Sequence, residues 1–173
     1  MTAAAKSESS STLAGWLAVC ARLFLGGLFI YMGLNKASHP VEFLKLVREY
    51  DLTQSAAILN FIAAALPWFE IFTGLLLVAG VGVRGAGLLA FGMLVPFTVA
   101  IAQRALAIHE ASGTPFCGIR FDCGCGAGEV LICKKLVENA GLVVLSLLIV
   151  AIRAPRAALR YSLLAAPSAR PAS

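Results

Sequence analysis

Four long apolar runs organise this chain. Leu13 to Leu34 is interrupted only by Arg22, and Ser55 to Gly80 carries Pro67 and Glu70 inside it. A tight Gly80-Val81-Gly82-Val83-Arg84-Gly85 turn leads into the third run. That run extends from Gly85 to about Ile108, with Pro96 inside and Arg104 near its far end. Leu136 to Ile152 is the fourth. A bilayer-spanning helix takes about 20 predominantly apolar residues, so the runs predict spans at 13–34, 55–80, 85–108 and 136–152. The internal prolines fit, because neighbouring membrane helices can satisfy the carbonyls that proline frees. Between the first two runs the pattern changes. Val41, Phe43, Leu44, Leu46, Val47 and Tyr50 alternate with Glu42, Lys45, Arg48 and Glu49 at near-helical spacing. This predicts a short amphipathic helix after Pro40, lying at the membrane interface. Residues 1–12 read as a polar, mobile tail, 109–135 as a glycine-rich polar loop and 154–173 as a basic tail.

Composition narrows the class further. Of 173 residues, 60% are apolar and 13% are charged, and the mean hydropathy is +0.87. Soluble domains carry about 25% charge, and disorder needs high charge with low hydrophobicity, so both classes are excluded. The expected fold is an all-α integral membrane protein. It is a four-helix transmembrane bundle over residues 13–153, with an interfacial helix and a cysteine-rich extracytoplasmic loop. Leu13–Leu34 reads as a retained anchor, because it is long, contains a charge and lacks a small-residue cleavage site. Leu17-Ala18-Val19-Cys20 only faintly resembles a lipoprotein box, since Val19 is bulky.

The net charge of +5 is explained by its placement. Four spans put both termini and the 80–85 turn on one side, with Lys6, Arg84, Arg153, Arg156, Arg160 and Arg170 opposed only by Glu8. The other side is balanced. The positive-inside rule puts both termini in the cytoplasm and the cysteine loop outside, where disulfides persist. The charge is therefore no sign of a nucleic-acid partner; the bilayer is the expected surroundings.

Two charges fall inside the spans. Arg22 and Glu70 each lie about ten residues from the cytoplasmic end of their span, about 15 Å deep. A lone charge there costs roughly 3 kcal/mol or more. Equal depth on antiparallel neighbours predicts a bidentate Arg22–Glu70 pair. The pair reads either as a register-fixing ion pair or as part of a polar pocket. Such a pocket would take a quinone headgroup or carry protons, with Trp68 and Tyr31 as candidate lining.

The loop carries Cys117, Cys123, Cys125 and Cys133 within 17 residues. Thiol–disulfide exchange needs a thiolate, a partner cysteine and basic surroundings, and Arg120, Lys134 and Lys135 supply the last. Glycines around Cys123 and Cys125 remove steric cover. A Cys-x-Cys bridge is geometrically tight, which suits a relay better than a staple. Two static disulfides are the plainer alternative, and four cysteines allow three connectivities. A third reading has the four as metal ligands. The spacing is not that of a zinc site, which leaves soft metals such as copper(I). The lack of Cys-x-x-Cys argues against a thioredoxin-type or vitamin-K-epoxide-reductase-type centre. Cys20, in the first span, reads as an inert small apolar residue, and His39 and His109 as interfacial side chains. No phosphate loop, nucleophile elbow, dinucleotide fingerprint or metalloprotease motif is present.

Taken in order, these pieces resemble the MauE branch of the DoxX-like membrane proteins. The carrying residues are Arg22, Gly26-Gly27, Gly33 and Lys36, then Tyr50 and Leu52, then Leu66-Pro67-Trp68-Phe69-Glu70 with Gly74. Cys123-Gly124-Cys125-Gly126 and the Lys135–Leu142 stretch with Asn139 complete the pattern. The resemblance covers about Leu13 to Ile152. One departure is Ala127 before Gly128, where the family loop usually has Phe then Gly. The resemblance implies a multi-pass protein of the bacterial inner membrane. It also implies a role in methylamine utilisation, with support of disulfide maturation alongside a thioredoxin-like, MauD-like partner. Quinone reduction is associated with DoxX relatives. The expectation is then a membrane-bound thiol–disulfide or electron-transfer protein. Cys123 and Cys125 would exchange, and Cys117 and Cys133 would resolve or stabilise them. The alternatives are a non-catalytic assembly scaffold with structural disulfides, and a metal-handling protein.

Overall fold

The computed structural model describes residues 2–51, 53–124 and 128–151, with side chains from residue 15 onward. The basic tail expected at 154–173 lies outside the described residues. Five helices and one hairpin follow in order: α1 Thr2–Ser38, α2 Pro40–Glu49, α3 Ala56–Ala79, α4 Val83–Ser112, β1 Arg120–Asp122, β2 Glu129–Leu131 and α5 Ile132–Ala151. Three of the helical stretches are long and apolar enough to cross a membrane: Gly15–Ser38, Ala56–Ala79 and Val83–Ser112.

Several boundaries differ from the sequence reading, each for a local reason. Helix α1 does not stop at Leu34. Asn35, Lys36 and Ala37 continue it, and it ends only near Pro40, which disfavours helical geometry at the residue before it. It also runs back to Thr2, through residues read as a tail, because extending a nucleated helix is much easier than starting one. Helix α4 continues to Ser112, where Gly113 caps it at φ 66° and donates its N–H to the His109 carbonyl. Helix α5 begins at Ile132, so Cys133 stands on its first turn and not in the loop. The remaining connection holds the hairpin, with Phe121 paired to Val130. Three-residue strands are too short for alternation to reveal them. Between α3 and α4 the turn is as expected. Gly80 and Gly82 adopt left-handed φ values of 74° and 54°, which glycine reaches without strain.

Helix α1 packs most extensively on α3, and α4 on α5. The α1–α3 contact is backbone to backbone. A Cβ on Gly26 would lie 2.9 Å from the Gly74 carbonyl oxygen, and one on Gly33 would lie 2.7 Å from that of Pro67. On α4, Ala86 and Ala90 are buried, and Gly87 faces Ser146, Ile149 and Val150 of α5. Helix α2 is amphipathic as expected, with Pro40 opening it. Its apolar face is not left to the interface: Phe43 and Val47 pack on Leu59 and Ala63 of α3.

Small residues are thus required only where the helices touch. Gly33→Ala should lower stability by about 1–3 kcal/mol through overpacking. Gly27→Ala, with nothing within 4 Å of the new Cβ, should be neutral or slightly stabilising. Thermal unfolding of the two variants in one detergent checks the contrast.

Candidate functional site

One face of α1 carries Arg22, Leu25, Phe29, Met32 and Lys36, all buried, at the three-to-four spacing of a helical stripe. The stripe begins and ends on a cation. The Gly26–Gly74 and Gly33–Pro67 contacts set an antiparallel register in which Glu70 lies level with about residue 30. Its partner is Lys36, whose Nζ donates to Glu70 Oε1 as a buried ion pair. The expected Arg22–Glu70 pair does not form. The depth argument took Leu13 and Gly80 as level, whereas the packed register leaves Arg22 about 12 Å along the helix from the level of Glu70. Glu70 Oε2 makes no hydrogen bond among the described residues.

The other residues expected to form a quinone pocket are also apart. Trp68 is 67% exposed and, two residues from Glu70, points to another side of α3. Tyr31 is likewise exposed. Arg22, Glu70 and Trp68 therefore share no pocket among the described residues.

What gathers instead is a polar cluster at the loop end of the bundle. The Lys36 ammonium sits 5.4 Å from the ring centroid of Phe43 and 5.6 Å from that of Phe97, both within cation–π range. Lys135, also buried, lies within electrostatic reach of Lys36, and its Nζ is 3.9 Å from Glu138 Oε2. Asn139 donates to Thr98 Oγ1 at 3.3 Å. A small cleft of about 60 Å³ opens onto this cluster, lined by Lys36, His39, Glu42, Phe43, Asp122 and Gly124 among others. That space suits ordered water; ligand pockets run to about 300 Å³ or more.

The hairpin forms the roof. Cys117 and Cys133 are joined by a disulfide, tying the turn Phe116–Gly118 to the start of α5. The Ile132 N–H donates to the Ile119 carbonyl beside it. Cys123 is also disulfide-bonded and is buried against Met32, Ile101 and Ile132. Cys125 lies outside the described residues. Three of the four loop cysteines are thus engaged in disulfides and not held as thiolate ligands. Among the described residues no three His, Cys, Asp or Glu side chains form a metal-binding group. Cys20 is a free, exposed cysteine. His39 and His109 each donate a ring N–H to a nearby backbone carbonyl, of Asn35 and Thr114.

Tyr50 locks the roof to the floor. Its hydroxyl donates to the Cys123 carbonyl at 3.2 Å, and its ring packs edge-on against Phe121. Burial raises the phenol well above its ordinary pKa, with the Asp122 and Glu49 carboxylates adding and Arg104 opposing, so it stays a neutral donor. Next to Cys123, Gly124 turns at φ 71° against Phe43 and Leu46. Its N–H donates to Asp122 Oδ1 at 2.8 Å.

Lys36 entered the sequence reading only among the residues that carry the resemblance, and its place in the buried pair was missed. The signal was its place on the stripe of Leu25, Phe29 and Met32. Fold and site together define a helical membrane protein that gathers its polar chemistry under one disulfide-bonded hairpin. The chain belongs to the MauE family, described as methylamine utilisation protein MauE, whose pattern matches residues 14–152. No curated protein and no solved structure matches it.

Because Lys36 and Glu70 are buried together, removing one should cost more than removing both. Lys36→Met should destabilise by about 3–5 kcal/mol, and the double change Lys36→Met with Glu70→Leu by much less. Unfolding in detergent of the two proteins tests this.

Proposed function

We propose that this protein is a membrane-bound thiol–disulfide exchanger in which Cys123 and Cys125 form the exchanging pair. Both termini are in the cytoplasm of the bacterial inner membrane, α5 is the fourth span, and the hairpin faces the extracytoplasmic side. The unopposed bases near the termini support that orientation. The observation that carries the reading is the setting of Cys123: disulfide-bonded and buried in a hairpin stapled by a second, separate disulfide, Cys117–Cys133. A purely structural loop of this size is already closed by the second bridge. The first is then available for exchange with a thioredoxin-like, MauD-like partner. Membership of the MauE family supports a place for this exchange in methylamine utilisation.

The step is a reversible two-electron transfer. A partner thiolate attacks Cys125 Sγ, the Cys123–Cys125 bond breaks and Cys123 leaves with the electron pair. The second partner thiolate then attacks the mixed disulfide, so that the partner ends as a disulfide and the loop as two thiols. The two protons come from the partner dithiol. Burial of Cys123 assigns first attack to Cys125.

Cys123→Ser should therefore accumulate a mixed disulfide through Cys125, whereas Cys125→Ser should form none. Acid-quenched alkylation with peptide mapping reads both. An unchanged partner redox state in the double variant would sink the proposal. Cys117→Ser should instead lower stability, by about 3 kcal/mol for a loop of this length, and leave exchange through Cys125 in place. Thermal unfolding and the same alkylation assay separate the two effects.

A further inference from the structure

The bridge that staples the hairpin can be reached from outside. Cys117 is exposed, on the short turn Phe116–Gly118, whereas Cys123 is buried. A disulfide opens when a thiolate attacks one of its sulfurs. Access decides which sulfur is struck, and stabilisation of the negative charge decides which one leaves readily. The two ends of Cys117–Cys133 differ on both counts.

Cys133 is only partly buried and stands second in α5, a 20-residue helix with no acidic residue in its first turn. The first N–H groups of a helix have no acceptor within it, and negative charge is favoured beside them. Lys134 and Lys135 follow directly, and cysteines next to lysines are the ones held as thiolates. Their shared counter-charge is Glu138, at 3.8 Å from Lys134 Nζ and 3.9 Å from Lys135 Nζ. The turn that carries Cys117 is three residues long and offers its sulfur no such field.

The parts around the bridge are also held without it. Ile119, two residues after Cys117, is buried with Ile101 and Ile132. The Ile132 N–H, beside Cys133, donates to the Ile119 carbonyl at 3.1 Å. Strands β1 and β2 pair over their full length. With the bridge open, its two sulfurs therefore remain neighbours and can join again.

We infer that Cys117–Cys133 is a second thiol-exchange site, open to a thiol or dithiol reductant, with Cys117 the sulfur attacked and Cys133 the sulfur that departs. It goes beyond the exchange proposed at Cys123 and does not rest on it. The first reductant thiolate bonds to Cys117 Sγ, the Cys117–Cys133 bond breaks and its electron pair goes to Cys133 Sγ. A second reductant thiolate then attacks the reductant sulfur of the mixed disulfide and releases Cys117. The reductant ends as a disulfide. Its two electrons and two protons are those that the two cysteines gain.

The test treats the purified full chain in lipid nanodiscs with 2-mercaptoethanol, traps early time points with N-ethylmaleimide and maps each cysteine on its own peptide. The mercaptoethanol adduct should sit on Cys117, with Cys133 as the alkylated thiol, in about tenfold excess over the reverse arrangement. Adducts on Cys133, or an even division between the two, overturn the direction of attack. A bridge that opens only after denaturant is added overturns the site altogether. Removal of the thiol and addition of hydroxyethyl disulfide should then restore Cys117–Cys133. Re-formation with other cysteines as partners would show that the bridge alone holds the two ends together, and that result also overturns the inference. Exchange at Cys123 is read from a different peptide, so its failure would be seen separately and would leave this result standing.

Discussion

An ammonium and a carboxylate share the interior of this bundle, and most of the architecture follows from keeping them together. Each alone would cost several kcal/mol to desolvate. Together they need α1 and α3 at one relative height and close enough for a direct bond. The glycines at 26, 33 and 74 supply the closeness, because no side chain separates the two backbones there. Packing of Leu25 and Phe29 with Leu77 then fills the seam below the pair. Helix α2, folded back onto α3, seals it from the side with Phe43. A sliding of α1 against α3 by one turn would separate the charges and drive side chains into the glycine contacts at once. The register is over-determined by two independent constraints.

The polar cluster at the loop end is built from parts that are far apart in the chain. Lys36, Glu70, Thr98 and Asn139 come from four different helices, and Tyr50 reaches in from beyond α2 to bond the Cys123 carbonyl. Each contributes one hydrogen bond or one charge. Buried polar groups of this kind specify a single arrangement because an alternative packing would leave them unsatisfied. The hairpin above is too short to fold alone. It is held by the Cys117–Cys133 bridge, the Tyr50 bond and its packing on Met32 and Ile101.

The helices were legible because hydropathy runs of spanning length carry a strong signal. The amphipathic segment was legible because its period is unambiguous over ten residues. The pairing of Glu70 was not. Its partner depends on helix register, which small residues set, and Gly26, Gly33 and Gly74 declare nothing about height when read singly. Lys36 illustrates the difficulty. By composition it belongs with the aqueous residues after the span; by periodicity it belongs to the buried stripe, and periodicity proved the better guide. The cysteine cluster stood out by density alone. Its Cys117–Cys133 connectivity came only from the fold, where α5 begins one residue before Cys133 and brings it against the turn at Cys117.

The order of these parts along the chain has its own meaning. The floor of the site comes from α1, α2 and α3, which precede every loop cysteine. Since chains are made from the N-terminus, Lys36, Phe43, Glu70 and Phe97 are all synthesised before Cys117. Cys133, the last of the four, arrives only with the first turn of α5. Every residue of the pair and its aromatic cover is thus in the chain before the first loop thiol, and the thiols come to partners that have already been made.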